Sequence, residues 1–299
     1  MDEAGFLAAL RLLPLHPGAA NLRDDTAHLA GLTITTDTIV EGAHFLASDP
    51  PEDVAWKLLA TNLSDLAAKG ATPEGALLNY PLSNDGWDSA FLAGLDTALR
   101  HCACPLLGGD TVTLPTGAPR VLTLTAIGRD AAAPPRSGAK AGDGLWATGT
   151  IGNAGAGLAI ARGEQGPAEL LAAYRRPQPR LAEGRALAPL VHAMMDISDG
   201  LLIDAARMAA ASGIAVAIDL ATVPLSDALR TFGGDDRAAR LAAATAGDDY
   251  QLLFAAAPDF APPVAATRIG SFVSGTGLTL TDDGEPVPLP SRLGFEHRL

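Results

Sequence analysis

The sequence is poor in cysteine: Cys102 and Cys104 are the only two among 299 residues, and a single residue separates them. A secreted disulfide scaffold needs more cysteines at wider spacing, so that class of protein is excluded. The first residues include Asp2 and Glu3, whereas a secretory signal begins with positive charge. We therefore expect a cytoplasmic protein.

Basic residues are also scarce, with 21 lysines and arginines against 34 aspartates and glutamates, and the formal net charge is −13. Such a chain repels nucleic acid and anionic membranes, since the sequence contains no basic patch. Long apolar runs are missing too. The one uncharged stretch of spanning length, residues 144–161, contains five glycines and Asn153, which makes it a poor membrane helix. We expect neither nucleic acid nor a membrane as a partner.

The composition that remains is typical of a globular protein, with 48% hydrophobic and 18% charged residues. Predicted strands and helices are mixed along the chain, which indicates an α/β or α+β fold. The stretch "DAAAPPRSGAKAGDG" is rich in alanine, proline and glycine, so we place a domain boundary within it. The predicted domains are residues 1–135 and 136–299.

Three segments carry most of the polar pattern. "GLTITTDTIV" alternates apolar and polar residues and predicts a half-buried strand that ends near Asp37. "PEDVAWKLLATNLSDLAAKG" predicts a helix, with Asp65 and Lys69 on the face opposite its leucines. "MMDISDGLLID" predicts a strand, a turn and a helix that Ser198 or Asp199 caps.

Aspartates recur beside glycine, serine or threonine at predicted turns. They are Asp25, Asp37, Asp110, Asp196, Asp199, Asp248 and Asp249, and Asp65 joins them from a predicted helix. Each one alone is typical of a turn or a helix cap. Together they favour a magnesium site, because magnesium prefers hard oxygen ligands and binds through carboxylates and substrate phosphates. Neither a Walker A sequence nor a kinase-type glycine-rich loop is present.

A longer series of motifs resembles one known family. In order along the chain they are "DDTAHL", "TTDTIVEGAHF", "NLSDLAAKGATP", "LLGGDT", "RSGAKAGDGLWATGTIGNAGAGLAI", "RRPQPR", "DISDGLLID" and "AGDDYQLLF". This ordered series is similar to that of the thiamine-monophosphate kinases, which belong to the aminoimidazole ribonucleotide synthetase-like (PurM-like) superfamily. The resemblance covers nearly the whole chain.

The resemblance implies both an activity and an architecture. The activity is magnesium-dependent, direct transfer of the ATP γ-phosphoryl group to thiamine monophosphate, which gives thiamine diphosphate and ADP. The fold is a two-domain α/β (α+β) PurM-like kinase fold, in which the N-terminal sheets of two subunits pair into a β-barrel-like homodimer. The N-terminal domain then binds ATP and magnesium and forms the dimer, with ATP near the subunit interface.

The resemblance also implies roles for individual residues. The magnesium set is Asp25, Thr35, Thr36, Asp37, Asp65, Asp110, Asp196 and Asp199, and several ions are expected. The ATP contacts are Gly109, Asp110, Arg136 and Ser198, with Lys140 a weaker candidate; the substrate contacts are His44, Asp248 and Phe295. Through metal placement, Asp25, Asp37, Asp65 and Asp110 are the residues expected to matter most for catalysis.

Three positions depart from the family pattern. Arg23 precedes the two aspartates where glycine is usual, Asp248 replaces a substrate-binding glutamate, and Gln251 replaces another glutamate. Two alternatives therefore stay open: another ATP-dependent member of the superfamily, or a non-catalytic homologue that binds magnesium or nucleotide. A selenophosphate synthetase would carry a reactive cysteine or selenocysteine near its N-terminus, and Cys102 is the first cysteine here.

Overall fold

The computed structural model describes residues 3–130 and 132–296. Its first part consists of α1 (Glu3–Leu10), a 3-10 helix (Pro17–Leu22), β1 (Ala27–Leu29), β2 (Leu32–Val40), α2 (Pro51–Ala68), β3 (Thr72–Leu82), α3 (Asp85–His101), β4 (Leu106–Thr113) and β5 (Val121–Arg129). The strands form one sheet in the order β1-β2-β5-β3-β4. The edge pair β3 and β4 is parallel, with α3 as the crossover, and the other neighbours are antiparallel.

The second part of the chain forms a separate sheet. Its elements are β6 (Gly144–Thr148), α4 (Asn153–Ala161), α5 (Ala168–Arg175), α6 (Leu181–Leu187), β7 (Ala193–Ile197), α7 (Leu201–Ser212), β8 (Ala215–Asp219), a 3-10 helix (Leu220–Thr222), α8 (Asp227–Gly233), α9 (Arg237–Ala246), β9 (Gln251–Ala256), β10 (Ala266–Val273), β11 (Gly277–Asp282) and β12 (Glu285–Val287). The order β12-β11-β8-β10-β6-β9-β7 is mixed, because β8 and β11 are parallel. The fold is a two-domain α/β fold, and the division at residues 135/136 stays a prediction.

Strand β2 continues past the end that the sequence predicts for it. Asp37 lies inside the strand opposite Leu124 of β5, and the ladder runs on to Val40 opposite Val121. The three residues after Asp37 are β-branched, which suits a pleated, half-buried surface and explains the extension. Because side chains alternate along a strand, Asp37 and Thr35 share the face that packs on α2.

Helix α2 lies between the two domains and is buried along most of its length. It packs on β2 and β5 of the first sheet and also contacts α6, β7 and β9 of the second domain. Its polar positions face the protein interior: Lys57 and Lys69 are both buried. Lys69 Nζ donates to the carbonyl oxygens of Pro134 and Met194. These contacts tie α2 to the linker and to β7.

The N-terminus of α7 is capped differently from the prediction. Asp204, in the first turn of the helix, accepts hydrogen bonds at Oδ2 from the backbone N–H groups of Ser198, Asp199 and Gly200, each at 3.1 Å. The prediction that Ser198 or Asp199 supplies the cap is therefore wrong. A carboxylate inside the first turn reaches back to three donors at once, and the Asp199 carboxylate pairs with Arg207 instead.

The first sheet leaves one face and one edge uncovered. Strand β4 is exposed along its whole length, and the exposed large apolar side chains of this sheet include Leu77, Leu106, Leu107, Val112 and Val121. An uncovered edge strand is an obvious place for another chain to pair. Of the helices within residues 3–130 and 132–296, none has both the length and the apolar character that a bilayer crossing requires.

Candidate active site

A cavity of about 860 Å³ is lined by β2, α2, the end of β7, α7 and the loop before β9. It brings together most of the predicted site residues. They are Asp25, Thr35, Thr36, Asp37, His44, Asp65, Arg136, Asp196, Ser198, Asp199, Asp248 and Phe295. The fold therefore gathers residues from both halves of the sequence into one space.

Asp25, Asp65 and Asp196 form the centre of the carboxylate cluster, and their ligand atoms lie within 4.8 Å of one another. The three come from the loop before β1, from α2 and from β7 respectively. The Thr35 hydroxyl of β2 donates a hydrogen bond to Asp65. Beside them, the Asp37 backbone N–H donates to the Asn62 side-chain oxygen of α2 at 2.9 Å. Strand β2 and helix α2 are thus locked together beneath the cluster.

Two basic side chains compensate the adjacent Asp24 and Asp25. Lys69 Nζ lies 2.5 Å from Asp24 Oδ1 and 3.7 Å from Asp25 Oδ2, and its side chain is fully buried. The Arg136 guanidinium donates to Asp25, and the Arg136 backbone N–H donates to Asp24 Oδ2 at 3.3 Å. Although burial opposes ionisation, Arg136 and Lys69 hold the pKa of Asp25 below its ordinary value.

The neighbouring carboxyl groups shift in the opposite direction. Burial, reinforced by the charges of Asp37, Asp196 and Asp25, raises the pKa of Asp65 well above its ordinary value. Burial and the charge of Asp25 raise the pKa of Asp196 in the same way. Burial and the charges of Asp25 and Asp199 raise the pKa of Asp37 to about 6. These three carboxyl groups therefore hold their protons to a higher pH than free aspartates do when nothing else neutralises the cluster.

The cluster fits a hard cation. Two buried oxygens at its edge, Asp25 Oδ2 and Thr26 Oγ1, have no hydrogen-bond partner within the described part of the chain. A buried oxygen without such a partner is unfavourable by about 1–3 kcal/mol, and a cation bound beside these two atoms would satisfy them. Carboxylate and hydroxyl oxygens are the donors that magnesium prefers. Asp25, Asp65 and Asp196 are the residues that could hold such a cation.

Gly109 and Asp110 lie outside this cluster. Asp37, Leu124, Leu78 and Gly109 form one row across the first sheet, from β2 to β4. Three strand spacings place Gly109 about 14 Å from Asp37, and Asp110 is its neighbour. Ligands of one magnesium ion lie only about 2.1 Å from it, so Asp110 cannot share an ion with Asp37 inside one subunit. Gly109 is explained by packing, because a Cβ there would clash with the Leu78 carbonyl oxygen.

Thr36 lines the cavity but faces away from the carboxylates. Its hydroxyl donates to the Leu124 carbonyl oxygen at 3.2 Å and accepts from the Thr125 hydroxyl at 3.0 Å. It therefore lies on the uncovered face of the sheet, opposite to Thr35 and Asp37. The family resemblance implies that both threonines belong to one magnesium set, whereas the alternation of side chains along β2 directs them to opposite faces of the sheet.

The predicted substrate residues meet at one end of the cavity. The His44 and Phe295 rings pack edge to face, with centroids 6.3 Å apart. His44 Nδ1 accepts from the Val40 backbone N–H at 3.0 Å, so a neutral His44 ring carries its proton on Nε2. Asp248 Oδ1 accepts a hydrogen bond from the Tyr250 hydroxyl at 3.1 Å. An aromatic wall and a hydrogen-bond acceptor therefore face the same space.

Two residues that depart from the family pattern, Arg23 and Gln251, are accommodated by the fold, and the ATP candidate Lys140 lies outside the cavity. Arg23 has a φ of −118°, which any residue adopts, and it is exposed. Gln251 accepts from Arg180 Nε at 2.8 Å and from the Thr148 hydroxyl at 3.1 Å, so it joins β9 to its neighbours. Lys140 is exposed, and it does not line the cavity.

Comparisons with known proteins agree with the motif series. The model of AIR synthase related protein, N-terminal domain, matches residues 23–129, and that of the C-terminal domain matches residues 140–282. A thiamine-monophosphate kinase of Caulobacter vibrioides is 40% identical, with 94% of this chain and 86% of the relative covered. One of Escherichia coli is 39% identical, with 89% and 86% covered. The chain belongs to the thiamine-monophosphate kinase family.

A solved structure extends this likeness to three dimensions. The structure of AaThiL complexed with AMPPCP and TMP matches with a TM-score of 0.88 at 30% sequence identity. The match covers 99% of this chain and 97% of that chain. Both domains and their mutual arrangement are therefore those of this kinase family.

Several residues at the site were not predicted from the sequence. Lys69 compensates Asp24 and Asp25, and Arg207 Nη1 lies 2.5 Å from Asp199 Oδ2 and 2.9 Å from Asp204 Oδ1. A lysine or arginine on a helix ordinarily indicates a solvated face. The sequence does show that Lys69 and Arg207 each lie in a segment that contains acidic residues. That proximity alone does not identify an ion-pair partner far away in sequence.

The raised pKa values predict that the cation-free protein gains stability on acidification. Unfolded aspartates titrate near 4, whereas Asp37 in the folded protein titrates at about 6 and Asp65 and Asp196 also titrate high. Between about pH 8 and pH 5 the native state then binds more protons than the unfolded state, so the free energy of unfolding should rise as the pH falls. Urea titrations in EDTA across this range measure it.

The lowered pKa of Asp25 acts in the opposite direction, but only below about pH 4, outside this window. The Asp37→Asn variant is the matched control and should show a shallower pH dependence, since one titrating group is removed. A free energy of unfolding that is constant or falls between pH 8 and pH 5 would contradict the clustering of neutral carboxyls.

Proposed function

We propose that this protein is a thiamine-monophosphate kinase that transfers the γ-phosphoryl group of ATP directly to thiamine monophosphate, giving thiamine diphosphate and ADP. The observation that carries the proposal is one cavity that joins a carboxylate cluster to a separate aromatic end. Two relatives about 40% identical are thiamine-monophosphate kinases, and the AaThiL structure holds AMPPCP and TMP. The same ligands suit the two ends of this cavity.

The phosphate groups of ATP would lie against the cluster. Arg136 and Arg207 line the cavity and offer guanidinium groups, which match phosphate geometry through paired donors. Arg136 contacts Asp25 in the structure, so it would be shared between that carboxylate and a phosphate. Ser198 adds a hydroxyl beside the N-terminus of α7. These two arginines thus lie on the part of the cavity wall that the anionic substrates would approach.

The reaction then depends on alignment more than on proton transfer. The acceptor is a phosphate monoester, which is already largely ionised near neutral pH, so no strong general base is needed. His44, Asp248 and Phe295 would hold the thiamine rings, which orients the acceptor oxygen toward the γ-phosphorus.

Magnesium is the proposed cofactor, with Asp25, Asp65 and Asp196 as its central ligands. Thr35, Asp37 and Asp199 line the same cavity and would assist directly or through water. When bound, magnesium neutralises charge on phosphate oxygens and on the carboxylates around them. That need explains why the fold tolerates several buried acids at one place.

A homodimer would complete the site. The uncovered face of the first sheet exposes apolar residues such as Leu77 and Val121, and the cavity reaches that same face at Thr36 and Thr125. Two N-terminal sheets packed on this face would form the barrel-like dimer that the family resemblance implies. Strand β4 of the second copy would then bring Gly109 and Asp110 to the cavity, which one subunit alone does not do.

The two alternative functions differ from the proposed one in the acceptor substrate or in whether ATP is turned over. Another ATP-dependent member of the superfamily would consume ATP with a different acceptor substrate. A non-catalytic homologue would bind ATP without turnover. The cytoplasm is the proposed location, since both substrates are charged small metabolites and both cysteines are free thiols.

The first prediction of this proposal is a stoichiometric product ratio. Purified protein with ATP, magnesium and thiamine monophosphate should form thiamine diphosphate and ADP in equal amounts, because one phosphoryl group moves directly between the two substrates. Chromatography of both products measures the ratio. ADP without thiamine diphosphate would overturn the assignment, and the same reaction without thiamine monophosphate is the control.

The second prediction concerns Asp65 as a metal ligand. Asp65→Asn should melt no lower than the native protein in EDTA, because the amide removes repulsion from Asp37, Asp196 and Asp25 and its oxygen still accepts from Thr35. In magnesium, the native protein should gain about 2.7 kcal/mol at a hundredfold excess over the dissociation constant, and the variant less. Melting curves in EDTA and in magnesium measure both.

The control for that experiment is Asp96→Asn. Asp96 lies exposed on α3 and pairs with Arg100 four residues later, so its loss should leave the magnesium response intact. If Asp65→Asn instead melts lower in EDTA and keeps the full response to magnesium, Asp65 has only a structural role.

The third prediction tests whether Asp110 acts on the partner's site. Asp25→Asn and Asp110→Asn variants should each be inactive alone. After unfolding and refolding as a mixture, half of the dimers are mixed and each has one native site, so about a quarter of the native activity should return. No recovery, although exchange is verified by differently tagged subunits, would place Asp110 outside the partner's site.

A further inference from the structure

Lys57 of α2 is buried behind the substrate end of the cavity. Its ammonium group contacts a carboxylate, a backbone carbonyl oxygen and an aromatic ring. Its Nζ donates to Asp248 Oδ2 at 2.7 Å and to the His44 carbonyl oxygen at 2.9 Å, and lies 4.2 Å from the centre of the Tyr174 ring. The Lys57 side chain is 3% exposed, whereas that of Asp248 is 30% exposed. The carboxylate, not the lysine, faces the cavity.

The loop that carries Asp248 has an uncommon backbone conformation. Asp248 has a φ of 63° and Tyr250 a φ of 48°, a left-handed region that residues with a Cβ seldom adopt. Several contacts hold this loop: the carboxylate of buried Asp249 accepts from the Gly152 backbone N–H, and the Asp248 N–H donates to the Ser198 carbonyl oxygen at 2.7 Å. Conformations of this kind persist where a side chain must be aimed for function.

Both oxygens of the Asp248 carboxylate are held by neighbours. Lys57 binds Oδ2, and the Tyr250 hydroxyl binds Oδ1 at 3.1 Å. The carboxylate cannot rotate without losing one of these contacts, so it presents a fixed acceptor to the cavity. The Asp248 side chain is one methylene shorter than the glutamate usual in the family, and its carboxylate is thereby preset in one place.

Lys57 also joins the two sides of the substrate end. His44 belongs to the N-terminal domain and Asp248 to the C-terminal domain, and one ammonium group binds both. The spacing between the aromatic side and the acceptor side of the pocket is thereby determined by a single buried cation. An unpaired ammonium would be strongly disfavoured at this depth, which keeps the three groups together.

We propose that Lys57 is a positioning residue for the acceptor substrate: it fixes Asp248 and the His44 main chain so that they recognise a cationic, amino-bearing ring system. This inference rests on the proposed kinase function. Thiamine monophosphate has a positive thiazolium ring and an amino group on its pyrimidine. A fixed carboxylate suits a hydrogen bond from that amino group, and a loosened one would bind it more weakly.

The test separates positioning from stability through two Michaelis constants. Lys57→Met should raise KM for thiamine monophosphate about tenfold while KM for ATP changes by less than about twofold, because the ATP end has its own contacts. Lys57→Arg keeps a cation and should recover most of the loss. The matched control is Arg176→Met, which removes another ion pair between α2 and the C-terminal domain, Arg176 with Asp53, away from this cavity; it should change neither KM.

A double-mutant comparison identifies the route of the effect. Asp248→Asn alone should raise KM for thiamine monophosphate, and adding Lys57→Met to it should raise KM by less than about twofold further, because the two residues act as a unit. Should Lys57→Met fail to fold, Lys57→Gln takes its place, and calorimetric binding of thiamine monophosphate replaces KM. The expected result is the same loss of affinity for that substrate alone.

Three results would overturn the role of Lys57: an unchanged or lower KM for thiamine monophosphate, an equal rise in both Michaelis constants, or full additivity with Asp248→Asn. The native protein is assayed in parallel. If the native protein forms no thiamine diphosphate, the proposed function itself fails. If it forms product and the variants show any of the three results, only the positioning role fails.

Discussion

Helix α2 buries charged side chains between two domains, and this constraint determines how the domains meet. A buried charge needs a partner, and the partners of this helix lie far away in sequence. Lys57 pairs with Asp248 of the second domain, and Lys69 pairs with Asp24 and with carbonyl groups of the linker and β7. A different packing of the domains would separate Lys57 from Asp248 and Lys69 from the Met194 carbonyl oxygen.

The same helix also organises the cavity along its length. Lys57, Thr61, Asp65 and Lys69 follow one another at intervals of four residues, so they form one stripe on the helix surface. The stripe spans about 18 Å, from the substrate end to the Asp24–Asp25 end. Thr61 and Asp65 in its middle line the cavity. A straight helix thus fixes the distance between the place for the acceptor rings and the place for the phosphates.

The carboxylate cluster contains one acid whose charge is balanced by basic residues and others whose charge is not. Asp25 stays ionised because Arg136 and Lys69 stand beside it, whereas burial raises the pKa of Asp65 and Asp196. Basic residues of the chain thus balance the charge of Asp25, whereas protons or a bound cation must balance the charges of Asp65 and Asp196. This division keeps the fold stable without a ligand while retaining affinity for one, because only part of the negative charge is neutralised internally.

The sequence by itself determined the family, the α/β class of the fold and twelve of the residues that line the cavity. Local signals suffice for these: motifs such as "DISDG" and "TTDTIVEGAHF" are short and ordered, and the periodicity of α2 and β2 is strong. Only the tertiary structure decided that Asp110 lies about 14 Å from Asp37, that Thr36 faces away from Thr35, and that Asp204 caps α7. Such facts depend on strand order, side-chain alternation in register and burial, and each of these arises from contacts between residues distant in sequence.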